Sequence, residues 1–292
     1  MKPAAFEYVR VDTVDEAVAR LGELGDEAKI IAGGQSLAPM MNFRLARPSA
    51  LVDITRIPSL RYMYRQGGAL RIGALTTHHT VETSRDPGLA DGYDVLRRAA
   101  RWVGHYPIRT RGTFGGSIAH ADPSAEWPML ALLLDAEIVA VGPDGERTIP
   151  AAELFQGFMM TSLAPDELLT EVRFPAPAPH AAISEFARRH GDFAIVAAAV
   201  ALDMDDGTRN GSPVCRSARV VLGGVADAPV RVAEAEEALA GATLDDATLT
   251  AAGRAAADAI DPPSDLHGSG DYRRELASVL VKRAVREAAG VG

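Results

Sequence analysis

The chain holds a single cysteine, Cys215, among 292 residues. One thiol cannot close an intrachain disulfide. Nor can it hold an iron–sulfur cluster of the usual kind, which takes four thiolates. If the protein does redox chemistry, metal centres must come from other chains. Long apolar runs are also missing. The longest, Ala194 to Leu202, falls well short of the ~18–20 residues that span a bilayer. The N-terminal MKPAAFEYVRVD lacks the apolar core of a secretory signal, so a cytoplasmic location is expected. Positive charge is scarce: 30 Lys and Arg stand against 39 Asp and Glu, a net charge of −9. That balance supplies no basic stripe for tracking nucleic-acid phosphates. Two nucleotide fingerprints are absent as well. Without G-x-G-x-x-G a Rossmann domain is disfavoured, and without G-x-x-x-x-G-K-[ST] a P-loop.

What remains is an ordinary globular composition, 47% hydrophobic and 24% charged. At this length the chain can bury a large core and hold more than one subdomain. Residues 13–24 carry Ala17, Leu21 and Leu24 on one helical face behind a Thr13-x-x-Glu16 capping box. Lys29 to Ala32, Leu51 to Ile54 and Ala69 to Leu75 read as strands, and 91–103 as a helix followed by a loop-rich stretch. Met129 to Leu134 reads as helix, Ala136 to Arg147 as a hairpin about Gly-Pro-Asp-Gly, and Leu168 to Phe174 as a strand. The stiff PAPAP at 175–179 marks a domain boundary. Beyond it lie strands over 193–204 and 218–225, then helices near 231–240, 247–259 and 270–288. This mixed α+β order shows no strict βαβ repetition and no solenoid period.

Two stretches stand out, KIIAGGQSL at 29–37 and RGTFGGSI at 111–118. Each has a Gly-Gly pair before a small polar residue, and neither has a lysine. Consecutive glycines permit φ > 0 and close approach of the backbone to a ligand. Successive main-chain N–H groups can then form a nest for an anion, and two such nests could grip a pyrophosphate from opposite sides. A Gly-Gly pair is also an ordinary turn, as VLGGVA at 221–226 is read here, so spacing alone leaves the ligand open. His120-x-Asp122-x-x-x-Glu126 is set aside as a metal site, and His78-His79 reads as hydrogen-bonding loop histidines. Arg109 and Arg111, beside the second turn, fit either a positive potential or ordinary ion pairs. Asp205-Asp206-Gly207 reads as an acidic turn, and Cys215 as inert.

AGGQS with the following SLAPMMNFRLARP, and the block IRTRGTFGGSIAHADPSAEWP, together resemble the FAD-binding medium subunit of molybdenum hydroxylases. Carbon monoxide dehydrogenase and xanthine dehydrogenase belong to this group. FQGFMMTSLAPDELLTEVRFP and FARRHGDFAIV agree, and the likeness extends from about residue 3 to DYRRELASVLVKRAV. The resemblance implies a two-subdomain PCMH-type FAD-binding domain over 1–177, divided near residue 56. A smaller α+β C-terminal domain would follow over 178–292. It implies that Ala32, Gly33, Gly34, Gln35 and Ser36 hold the FAD pyrophosphate from one side. Thr113, Phe114, Gly115 and Gly116, with Ser117 beside them, would hold it from the other. Asp122 and Glu126 would accept hydrogen bonds from the ribityl chain or flavin, and Leu163 and Phe193 would pack near the ring.

Several positions depart from the family's commoner residues: Glu126 for aspartate, Phe193 for tyrosine, Phe114 for isoleucine. Gln35 stands where some relatives of the wider fold carry a histidine joined to flavin, so the FAD is expected to be non-covalent. The resemblance further implies a small partner with [2Fe-2S] clusters and a large molybdopterin partner, assembled as a dimer of heterotrimers. Electrons would pass from the clusters through FAD to an external acceptor. A stand-alone flavoenzyme of related fold, and an interaction module that has lost its flavin, are the alternatives.

Overall fold

The computed structural model describes residues 1–209 and 212–290. The first elements are β1 (Glu7–Arg10), α1 (Val14–Leu24), β2 (Ala28–Ile31), α2 (Leu37–Asn42) and β3 (Ala50–Asp53). Their strands form a small parallel sheet in the order β1-β3-β2. Helix α1 starts where the capping box places it. The Thr13 hydroxyl accepts from the Glu16 amide at 3.1 Å, and the Glu16 carboxylate accepts from the Asp12 amide at 2.8 Å. Its stripe Ala17, Val18 and Leu21 is buried, in one cluster with Val52 and Ile54.

The next group comprises β4 (Met63–Gln66), β5 (Ala69–Gly73), α3 (His78–Thr83), α4 (Pro87–Ala90), α5 (Asp94–Ala99) and α6 (Tyr106–Arg109). It continues with α7 (Phe114–His120), α8 (Glu126–Leu133), β6 (Glu137–Gly142), β7 (Gly145–Pro150) and α9 (Ala151–Leu154). The last members are β8 (Phe155–Gly157), β9 (Met160–Thr161) and β10 (Leu168–Phe174). Five strands make the sheet β4-β5-β10-β6-β7, paired antiparallel, while β8 and β9 form a separate ribbon. The stretch expected to be loops is largely helical. Helices of four to eight residues hide from a periodicity search, since one or two turns give no repeat. His78-His79 accordingly opens α3 and does not lie in a loop. Against the sheet, Trp127, Tyr93, Phe114 and Phe174 pack as the largest fully buried side chains of the core.

The last group holds β11 (His180–Phe186), β12 (Val196–Arg209), β13 (Ser212–Gly223), β14 (Val230–Arg231), α10 (Ala233–Leu239), α11 (Asp246–Asp258) and α12 (Gly270–Ala289). The sheet is antiparallel in the order β11-β12-β13-β14. Its centre explains the apolar run at 194–202. Ala197, Ala199 and Ala201 face the core shared with α8, whereas Val196, Ala198, Val200 and Leu202 face α10, α11 and α12. A strand covered on both faces has no need of alternation. The backbone of 205–207 continues β12, which corrects the reading of an isolated acidic turn. Cys215 is buried within β13, and burial pushes its thiol up to about 11, in keeping with an inert thiol. Among the described residues, no helix is long and apolar enough to cross a membrane.

Candidate functional site

The two glycine stretches meet. A Cβ built on Gly33 would lie 2.2 Å from the Arg111 carbonyl oxygen and 2.7 Å from Gly112 Cα. Turns about eighty residues apart in sequence are thus in backbone contact, and a cleft of about 650 Å³ opens beside them. That volume suits a small-molecule or cofactor site, typically ~300–1,000 Å³.

The turns differ in what their amides do. The first joins β2 to α2, with Gly34 at φ 68°. Among the described residues, the amides of Gly33, Gly34, Gln35 and Ser36 donate to no protein acceptor. The Gln35 side chain donates to the Gly33 carbonyl at 2.8 Å and braces the turn, while Ser36 makes no side-chain capping bond. Ala32 through Ser36 all line the cleft.

The second turn is the start of helix α7, which corrects the expectation of φ > 0 at Gly115 and Gly116. Its amides are already engaged: Phe114 to the Thr76 carbonyl at 2.8 Å, Gly115 to the Ala74 carbonyl at 3.0 Å, and Gly116 to Thr113 Oγ1 at 3.2 Å. Glycine is required at 115 for space. A Cβ there would sit 2.6 Å from Ala74 Cβ, at the end of β5. Thr113, Gly115, Gly116 and Ser117 line the cleft.

Phe114 does not line the cleft. Its ring is fully buried, 4.5 Å from the Trp127 ring and 6.0 Å from that of Phe174, because the helical turn directs it away from the glycines into the core. Phe114→Ala is expected to cost about 3–5 kcal/mol of stability, read from urea unfolding of the FAD-free chain. A loss under ~1 kcal/mol would return Phe114 to the site.

Two carboxyl groups also line the cleft, those of Asp122 and Glu126. Asp122 follows Ala121, whose φ of 53° ends α7, and its Oδ1 accepts from the Ser124 amide at 2.9 Å. Burial raises the Asp122 carboxyl above its usual range. Glu126 opens α8 and is buried. Desolvation, with repulsion from Glu185 of β11, pushes it up to about 8. Burial pushes Glu185 up to about 7. Both effects favour the protonated form of Glu126, in which the carboxyl can donate as well as accept. Leu163, half-buried, and Phe193, exposed just before β12, complete the wall.

Sequence reasoning missed one residue of the wall and one neighbour of Glu126. Glu185 escaped with its strand, and His78, a buried residue of the wall, hydrogen-bonds Trp127. Arg109 is occupied by Glu82 at 2.9 Å and the Gly104 carbonyl at 2.9 Å, the ion-pair alternative; Arg111 is exposed. Among the described residues no cluster could hold a metal ion, His120, Asp122 and Glu126 included.

Residues 4–177 match the family described as the FAD binding domain in molybdopterin dehydrogenase, and 181–288 the CO dehydrogenase flavoprotein C-terminal domain. The chain belongs to the FAD-binding medium subunits of molybdenum hydroxylases. This medium subunit is 43% identical to the 6-hydroxypseudooxynicotine dehydrogenase complex subunit alpha of Paenarthrobacter nicotinovorans, covering 99% of this chain and 96% of that one. It is 38% identical to the carbon monoxide dehydrogenase medium chain of Hydrogenophaga pseudoflava, over 99% and 98% of the two chains. Reconstituted CO dehydrogenase from Oligotropha carboxidovorans contains a chain superposing with a TM-score of 0.93, at 37% identity and with 100% of both chains covered. The family is one of oxidoreductases, and the mixed helix-and-strand architecture agrees with the α+β expectation. The cleft of the medium subunit draws nearly all its wall from the FAD-binding stretch, and Phe193 reaches it from the C-terminal one.

Proposed function

We propose that this chain is the electron-transfer subunit of its complex. It takes electrons from [2Fe-2S] clusters of a small partner and delivers them to an external acceptor, while substrate is oxidised at molybdenum in a large partner. In this reading residues 1–177, in two subdomains meeting near 56, hold FAD, and 178–292 form the C-terminal domain. The assembly would be a dimer of heterotrimers. Bound FAD supplies a carrier able to exchange electrons singly or in pairs.

One observation carries the reading: four unengaged amides, Gly33 to Ser36, at the point where two glycine turns touch. Half-buried amides that face a cleft and have no protein acceptor are donors to whatever fills it, and a dinucleotide's diphosphate supplies anionic acceptors without needing a lysine. The donor set therefore fits FAD. Ala32 to Ser36 would hold the diphosphate, with Thr113 and Ser117 offering hydroxyls from the second turn, where Gly115 and Gly116 keep the surface low. Glu126 and Asp122 would meet the ribityl hydroxyls, and Leu163 and Phe193 the ring. Gln35 gives no nucleophile for a covalent link, so the cofactor should dissociate.

Purification of the chain alone and with its native companions tests this, by visible spectrum and by assay of iron and molybdenum. The expected result is a yellow chain that oxidises no substrate alone but co-purifies with iron- and molybdenum-containing chains. A yellow chain that turns over substrate by itself would make it a free flavoenzyme. A colourless chain that cannot be reconstituted with FAD would make it an interaction module.

A further inference from the structure

His78 is the buried polar side chain of the cleft for which no role has been assigned. It is 4% exposed and opens α3 behind the Thr77 cap, whose hydroxyl accepts from the Thr80 amide. Its Nδ1 lies 2.9 Å from Trp127 Nε1. An indole nitrogen only donates, so Nδ1 must present its lone pair. Burial, helped by the positive charge of Arg109, pushes the imidazole down to about 3 and keeps it neutral. A neutral ring with a lone pair on Nδ1 carries its proton on Nε2.

That N–H finds no protein acceptor among the described residues, although Nε2 is not sealed off from solvent. It lies over Gly112, where an added Cβ would stand 2.6 Å from it. Gly112 is the residue against which Gly33 of the first turn presses. The donor therefore sits at the junction of the two turns, in the wall of the cleft. Arg109 does not compete for the same place, being tied to Glu82 and Gly104. Trp127 has no exposure and orients the ring from the core side.

We propose that His78 is a further cofactor-holding residue, a neutral imidazole oriented by Trp127 that donates from Nε2 to an oxygen of the bound dinucleotide beside Gly112. The proposal rests on the FAD reading of this cleft. It also explains a glycine at 112: any side chain would displace the ring.

The test uses the full chain, FAD titration by flavin fluorescence, and nitrogen NMR of histidine-labelled protein. In the wild type, the His78 Nε2 resonance should be that of a protonated ring nitrogen without FAD and should shift when FAD is added. His78→Phe should weaken FAD binding about tenfold, the loss expected for one hydrogen bond to a charged group. His78→Gln, which can place an amide donor nearby, should recover part of that loss. An unprotonated Nε2, or a wild-type resonance unmoved by bound FAD, would overturn the assignment even if His78→Phe failed to fold. A folded His78→Phe chain with wild-type affinity would overturn it alone and leave the FAD reading standing. A wild-type chain that takes up no FAD would overturn both.

Discussion

A Gly33→Ala chain should purify without flavin, its affinity for FAD lowered more than a hundredfold, while it remains folded. The added methyl would lie 2.2 Å from the Arg111 carbonyl oxygen, 2.7 Å from Gly112 Cα and 2.8 Å from the Arg111 carbonyl carbon. All three are backbone atoms, so no side-chain rotation relieves the overlap. The turns must part by about an ångström to reach ordinary contact distances. The amides of Gly33 to Ser36 then leave the second turn, and hydrogen bonds to an anion are each worth about 1.5–3 kcal/mol. Loss of two such bonds exceeds a hundredfold. Gly33 and Gly112 themselves belong to neither apolar cluster, although Phe114 beyond them does, so thermal unfolding of the FAD-free variant should shift by only a few degrees. Gly34→Ala makes the control. Gly34 has φ 68° but only the Ile31 side chain within reach, at 3.3 Å, so its cost is backbone strain of about 1 kcal/mol and a smaller loss of affinity. Equal, wild-type flavin content in both variants would remove the two-turn junction from the site.

Where the sequence was legible, pattern and burial agreed. The α1 cap, the hairpin of β6 and β7, strand β10 and the three C-terminal helices all follow signals that extend over six residues or more. The helix at 114–120 was hidden for a physical reason. Two glycines each lower helix propensity by about 1 kcal/mol and so read as a turn, but Ala74 requires a residue without a side chain at 115 and the fold overrides propensity. Phe114 was misassigned because membership of a motif says nothing about which way a side chain points. Strand β11, HAAISEF, offers two alanines and a serine where a strand signal needs larger apolar residues. With it went Glu185, and with Glu185 the reason for the behaviour of Glu126. His78 had no signal in spacing, since its role depends on an indole 49 residues away.

That carboxyl pair leads to the second large effect, a fall in stability of the FAD-free chain as pH rises from 6.5 to 9. Unfolded glutamates ionise near ~4.3, whereas in the folded chain Glu126 is held up to about 8 and Glu185 up to about 7. Between those limits the folded state binds more protons than the unfolded, so its advantage is complete at acid pH and is lost as pH climbs through 7 and 8. His78 works in the opposite sense in a separate range. Held down to about 3, it removes stability as pH falls below ~6.5, where an unfolded histidine takes up a proton. Glu171, lowered by Arg71, Tyr62 and Arg173 against the opposing effect of burial, likewise acts only at the acid end. Above pH 6.5 the two buried glutamates give the largest share, roughly 2–3 kcal/mol by pH 9, and Cys215, held up to about 11, adds a smaller loss of the same sign only above the ~8.5 of an unfolded thiol. Glutamine keeps the shape and cannot ionise. Glu126→Gln should flatten most of the slope in melting temperature between pH 6.5 and 8.5, and the double change with Glu185→Gln should flatten the rest of it there and raise stability at pH 9 above wild type. Parallel melting profiles for wild type and the double variant would mean that the pair is ionised in the folded chain, and that Glu126 meets the cleft as an anion after all.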